Sequence, residues 1–290
     1  MSTFRQVLSR IKVAKSTVKI TKVMQTIATA KLKQNKHKAE ASHKLALHYN
    51  TMAATIYANA VKMQQLQYYK FTTNIYHGQG CKFVIIISSN KGLCGGLNSN
   101  VVREITKHIT LNEKAVFYVI GSKIISLLKN KLAANCNIKI VTGTLEYKDS
   151  INIADVEQIV HDITTNMQQH NAFNVHIAYT NFVSSLKQEV AIESVSDHLK
   201  STAVSETTIE TDDISQFLST FEVKHLSAMV YNAIRNHIAS EHAMRMFAMD
   251  NATNNGNKMV AELVLKYNKS RQAAITSELI DIIGGAEVLN

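Results

Sequence analysis

The chain has 290 residues, a formal net charge of +10 and 46% apolar residues, with a mean hydropathy of -0.06. That is enough for one or two domains with a real core and predicts a soluble protein. No apolar run approaches the ~20 residues of a membrane-spanning helix, and an odd three cysteines (Cys81, Cys94, Cys136) with no C-x-x-C pair disfavour a disulfide framework or a zinc site.

Proline is absent, where ordinary usage of about 5% would place roughly 14. Proline costs a helix interior about 3 kcal/mol, so its absence suits long uninterrupted helices. The first such helix is predicted at the N-terminus. Phe4, Val7, Ile11, Ala14, Val18, Thr21, Gln25, Ala28 and Leu32 alternate steps of three and four, the spacing that keeps one face against a partner helix. Val7, Leu8, Met24 and Ile27 widen that stripe. The pattern continues through Ala53, Ala54, Ile56, Tyr57 and Ala60. About 55 helical residues would span roughly 80 Å, far more than a globular helix needs. No acid precedes Glu40, so the positive field is concentrated here. Arg10, Lys12, Lys15, Lys19 and Lys22 fall largely off the seam and read as a solvated face.

From about residue 75 the pattern changes, after Gly78 and Gly80. Phe83–Ser88 reads as a strand covered on both faces, Val101–Ile109 as a helix and Ala115–Ile120 as a second strand. Lys123–Leu132 is predicted helical, Ile138–Val141 a strand, Ile153–Met167 a helix and Val175–Tyr179 a strand. Gln188–Val195 alternates like an edge strand. Such alternation implies a mainly parallel α/β sheet. The polar residues 200–213 form a connection, and Asp213 with Gln216 is a helix-capping signature. A second long helix follows, from Ile214 through Phe217, Phe221, Leu226, Met229, Ala233 and Ile234. Gly256 interrupts it weakly, and it ends near Gly284 and Gly285. Glu241 with Arg245, and Glu262 with Lys266, are favourable i,i+4 pairs. Two long terminal helices flanking one α/β domain predict an antiparallel coiled coil of residues 1–60 with 211–290 and a domain over 75–200. The small or polar seam residues predict a slim rod, stable only with its helix partner and a surrounding protein.

Ser89–Asn98 follows a strand and precedes a helix, where phosphate loops sit. It matches neither GxGxxG nor GxxxxGK[ST], and a tight turn explains Gly92, Gly95 and Gly96 equally well. Cys94 lacks any supporting His or Asp pattern for a nucleophile. His237 and His242 are five apart with Glu241 between them, not HExxH, and read as packed or solvated. Glu241, Glu278 and Asp281 lie on a long helix with no cleft and read as surface or partner contacts. No cofactor and no metal are expected.

Arg10–Leu32 (RIKVAKSTVKITKVMQTIATAKL) resembles the N-terminal helix of ATP synthase γ subunits, with Val23 at a usual alanine. Ser89–Asn98 resembles that family's Gly-Leu-Cys-Gly-Gly loop, with Asn90 and Lys91 for Asp and Arg. Ser240–Thr253 (SEHAMRMFAMDNAT) and Tyr267–Leu289 (YNKSRQAAITSELIDIIGGAEVL) are similar to its C-terminal signatures. The resemblance implies antiparallel terminal helices with a Rossmann-like domain that binds no nucleotide. It implies a non-catalytic central shaft of a bacterial F-type ATP synthase, with partners in the α and β subunits, the ε subunit and the membrane-embedded c ring. It places the chain on the cytoplasmic face of the inner membrane, held there through partners. Arg271, Gln272 and Thr276 are implied to contact the β subunits, and Met24 and Arg245 to lie near the torque-transmitting region. Residues 203–213 (AVSETTIETDD) depart from the family's aromatic, acidic stretch, so the ring-facing contact transfers least.

Three other readings stay open on sequence alone. A basic coiled coil could bind nucleic acid, although no aromatics interleave its lysines. Residues 75–200 could form an α/β enzyme. The acid-free N-terminus could be a transit peptide, against which its apolar seam argues.

Overall fold

The computed structural model describes residues 4–62, 81–108, 114–132, 137–143, 147–195 and 214–288. In chain order the elements are α1 (Phe4–Lys62), β1 (Cys81–Ile87), α2 (Leu97–His108), β2 (Ala115–Ile120), α3 (Ile125–Leu132), β3 (Ile138–Thr142), α4 (Ile153–Gln169), β4 (Ala172–Phe182), β5 (Gln188–Ser194) and α5 (Ile214–Val288). The proposed Asp213 cap, residues 203–213 and Cys136 lie outside the described residues. The chain forms two compact units, Met1–Thr29 with Arg245–Asn290, and Ala30–Met244.

Within Ala30–Met244 the five strands form one sheet in the order β3-β2-β1-β4-β5. β1 pairs parallel with β2 and β4, and β2 pairs parallel with β3. The edge strand β5 is antiparallel to β4. The mainly parallel sheet and the edge strand were both legible in sequence. Continuous apolar runs in β1 and β2 are buried on both faces because helices cover both. Phe83, Ile85, Ile87, Val116, Tyr118 and Ile120 face a core completed by α4 and α5. Val84, Ile86, Phe117 and Val119 face Val101, Ile105, Ile124 and Leu128, from α2 and the start of α3. A reciprocal capping box starts α4, with Asn152 and Asp155 each accepting from the other's backbone N–H.

The terminal helices run antiparallel. In the first unit the side chains of Thr21 and Gln25 bond those of Thr253 and Asp250, at 2.8 and 2.7 Å. In the second, Ser42 meets Asn232 and Asn50 meets His225. The seam holds, with Val7, Ile11, Ala28 and Leu32 buried and Ala14, Val18, Thr21 and Gln25 partly buried. It continues in the same rhythm through Asn35, Ala39, Ser42, Ala46 and Ala53, all buried and all small or polar.

Four expectations need correction. Leu8 and Ile27 do not widen the buried stripe, because a two-helix contact covers only a narrow seam and both face outward. Leu97 opens α2 four residues before the expected start, since the tight turn ends there. The C-terminal helix passes Gly284 and Gly285 and runs to Val288, because a helical glycine weakens a helix without terminating it. Glu241 is 8% exposed, so it is no surface carboxylate; α5 is itself a core element at that point.

Candidate functional site

The polar chemistry of Ala30–Met244 converges on one short segment, Tyr147–Asn152. Its sheet side is tied to the end of β1: Tyr147 Oη donates to Ser88 O at 2.6 Å, and Asn90 Nδ2 donates to Tyr147 O at 3.1 Å. Its helix side is tied to both long helices. Lys31 Nζ of α1 lies 2.5 Å from Asp149 Oδ2, and His242 Nε2 of α5 lies 3.4 Å from the same oxygen. Arg235 of α5, 4% exposed, donates to the backbone carbonyls of Asp149 and Ile151. A guanidinium fork suits two adjacent acceptors in a way an ammonium does not. Its guanidinium also lies 5.2 Å from the Tyr231 ring centroid. Hydrogen bonding from His242, and then from Lys31, holds the Asp149 carboxyl well below the usual carboxylate range, against the opposing effect of burial.

Two more contacts join α5 to β4. Ser240 Oγ donates to Thr180 O at 3.0 Å, and Thr180 N–H donates to His237 Nδ1 at 3.4 Å. That assigns the proton of neutral His237 to Nε2. Full burial pushes its pKa down to about 3. His237 and His242 are thus packed against the sheet and its loops. Among the described residues no group of His, Cys, Asp and Glu could hold a metal ion.

The Ser89–Asn98 turn is filled by its own side chains. Asn98 Oδ1 accepts from Ser89 N–H and Asn98 Nδ2 donates to Ser89 Oγ. Cys94 is buried 3.6 Å from Ser89 Oγ. Leu93 and Gly95 take positive φ, at 64° and 59°. These residues make a self-satisfied strand-to-helix turn, in which the amides a phosphate would need are partly committed.

The unit Met1–Thr29 with Arg245–Asn290 has a different character. Beyond Thr253, no residue of α5 whose burial is described is buried. Leu265 is 71% exposed and Ile282 67%, with Met259, Ile275, Leu279, Ile280 and Ile283 also exposed. On α1, Val13, Ile20, Val23 and Ile27 are exposed, and so are Arg10, Lys12, Lys15, Lys19 and Lys22. Of the contact residues expected from sequence, Arg271, Gln272 and Thr276 are exposed on this bare stretch. Thr276 Oγ1 donates to Gln272 O at 2.9 Å, which leaves the Thr276 hydroxyl able only to accept from outside. Met24 is half-buried and Arg245 is 9% exposed, so neither presents a free side chain as the other three do.

Asp149, Lys31 and Arg235 were not singled out from sequence. Arg235 carried a weak signal, an arginine amid Ala233, Ile234 and Ile238 on a helix. Asp149 carried none, because only the fold brings its loop to two helices.

These features define a class: a protein of paired long helices and a mainly parallel α/β sheet, with apolar side chains left bare along one helix. An ATP synthase family model matches residues 3–289. The ATP synthase gamma chain of Wolbachia pipientis subsp. Culex pipiens is 32% identical over the whole of both chains. That of Albidiferax ferrireducens is 32% identical over 100% of this chain and 99% of its own. The chain belongs to the ATP synthase gamma chain family. Its fold is shared with a chain of the Euglena gracilis mitochondrial ATP synthase at TM-score 0.70 and 19% identity, over 99% of this chain and 94% of that one. A chain of the Tetrahymena thermophila central stalk and c ring matches at TM-score 0.59 and 23% identity, over 80% and 99%.

Proposed function

We propose that this chain is the central rotating shaft of an F-type ATP synthase, coupling ion-driven ring rotation to ATP synthesis or hydrolysis at the β-subunit catalytic sites. The observation that carries the reading is the bare α5 stretch from Met259 to Ile283. Apolar side chains exposed along so much of one helix mark a surface that works against a protein partner. The chain itself does no chemistry. An asymmetric rod touches each β subunit differently, so each catalytic site has a different local free energy, and turning the rod moves those differences around the head. Through the same contacts it regulates ATPase activity and ion flow.

The α and β subunits surround the helical pair, and the ε subunit and c ring meet the α/β domain. Arg271, Gln272 and Thr276 contact the β subunits. Met24 and Arg245 support the torque-bearing region from within. No helix among the described residues is long and apolar enough to cross a membrane. Family membership supports peripheral attachment through partners, and we read the site as the cytoplasmic face of a bacterial inner membrane. Pull-down of the tagged chain from its own cells, followed by mass identification, tests the reading. Recovery of α, β and ε subunits is expected. Salt-sensitive recovery of nucleic acid without those subunits would overturn it.

A further inference from the structure

We propose that Asp149 is the latch that carries torsional load between the five-stranded sheet and the two long helices, a positioning role that rests on the shaft reading above. A shaft must hold its load-bearing domain at a fixed angle. The core between the sheet and α5 resists separation through Leu226, Met229, Val230 and Ile234, but apolar burial is non-directional and sets no angle by itself. Charge-assisted hydrogen bonds do, because they weaken steeply when bent or stretched.

Directional bonds of this kind are concentrated on one loop. The Asp149 carboxylate faces Lys31 on α1 and His242 on α5. Because the two partners stand on different helices, twisting the helix pair against the loop strains these contacts. The loop cannot follow the helices freely. Tyr147 holds it to Ser88 and Asn90, while the Ile151 N–H donates to Lys148 O at 3.0 Å inside the loop. Arg235 clamps its backbone from α5 at Asp149 O and Ile151 O. The described ion pairs elsewhere in this unit lie within one helix, between a turn and the strand that follows it, or between two exposed side chains, as in Lys224 with Glu157. None joins a sheet loop to both helices.

The test uses the full chain co-assembled with its own α and β subunits. A bead is attached at Ser185→Cys in the exposed β4–β5 turn, and the head is anchored to glass. With the rotor stalled by an inhibitory nucleotide, Asp149→Asn and, separately, Lys31→Gln are expected to broaden the bead's angular distribution. Asp149→Glu, which keeps the charge, is expected to narrow it again. Lys187→Gln, which removes an exposed ion pair away from the loop, should leave the width unchanged. In the unassembled chain, Asp149→Asn should speed hydrogen exchange at Ile151 by about tenfold. If both variants assemble and rotate with wild-type widths, Asp149 carries no load and the proposal is overturned while the shaft reading stands. If either variant cannot assemble, the other decides. If the wild-type bead never rotates on adding ATP, the shaft reading fails and the latch with it.

Discussion

The same helix leads two different lives. From His225 to Ala243 every residue of α5 except Tyr231 is buried, and its polar side chains are bonded to the sheet, the loops and α1. Beyond Thr253 nothing with described burial is buried, and leucines and isoleucines stand in solvent. Propensity does not separate the stretches, since both lack proline and both are helical throughout. A helix enclosed on all sides is part of a core, whereas one left apolar and bare requires a partner. The buried stretch therefore serves folding and the bare stretch serves contact. Substitutions in the first should cost stability and in the second turnover.

The largest effect is expected at Arg235. Arg235→Ala leaves the buried carbonyl of Ile151 and the part-buried carbonyl of Asp149 without their donor, at about 1–3 kcal/mol for a buried group, and also removes a large packed side chain. A urea melt of the purified chain should lose about 3 kcal/mol or more. A loss confined to turnover, with an unchanged melt, would erase the contrast between the stretches.

Next comes Gly256, whose position blurs the contrast because it lies on the bare stretch yet faces α1. A Cβ there would sit 2.5 Å from Val18 Cγ2, and a β-branched valine has little freedom to retreat. Gly256→Val should cost about 1–3 kcal/mol by overpacking, read by thermal denaturation, and Val18→Ala in the same chain should recover much of it. An unchanged melting temperature in the single variant would show that the helices do not meet closely there.

The buried stretch should also respond to acid. His237 has a folded pKa near 3 against about 6.5 unfolded. Between those values the unfolded chain binds a proton that the folded chain refuses, so stability is complete above about pH 6.5 and falls as pH drops through the window. The contribution lost by pH 5 is about 2 kcal/mol. His237→Gln should flatten the fall in melting temperature between pH 6.5 and 4; an equal slope in both proteins would refute the assignment.

The smallest effect on folding belongs to the bare stretch. Arg271→Ala with Gln272→Ala removes two exposed side chains and should change stability by less than about 0.5 kcal/mol. Steady-state ATP turnover of the assembled complex should nevertheless fall about tenfold, since a charge-assisted contact is worth about 1.5–3 kcal/mol. Wild-type turnover and torque in the double variant would remove both residues from the contact surface.

Periodicity and composition alone determined the two long helices, their antiparallel pairing, the parallel sheet and the edge strand. Each rests on local repeats: steps of three and four along α1, continuous apolar runs in β1 and β2, alternation in β5. Local repeats report which side of an element seeks cover, but not what supplies the cover. Hence the sequence could not show that Leu226–Ile238 completes the core of the α/β domain, or that Glu241 is buried, or that Leu8 and Ile27 are not. Gly256 read as a weak point and is a close approach, since only the facing Val18 gives its missing Cβ a purpose. The tie between Asp149, Lys31, Arg235 and His242 spans residues far apart in the chain. Tertiary structure alone decided it, because these polar residues become one joint only when the fold brings a loop and two helices together, burying Arg235 and His242 and half-burying Lys31 and Asp149.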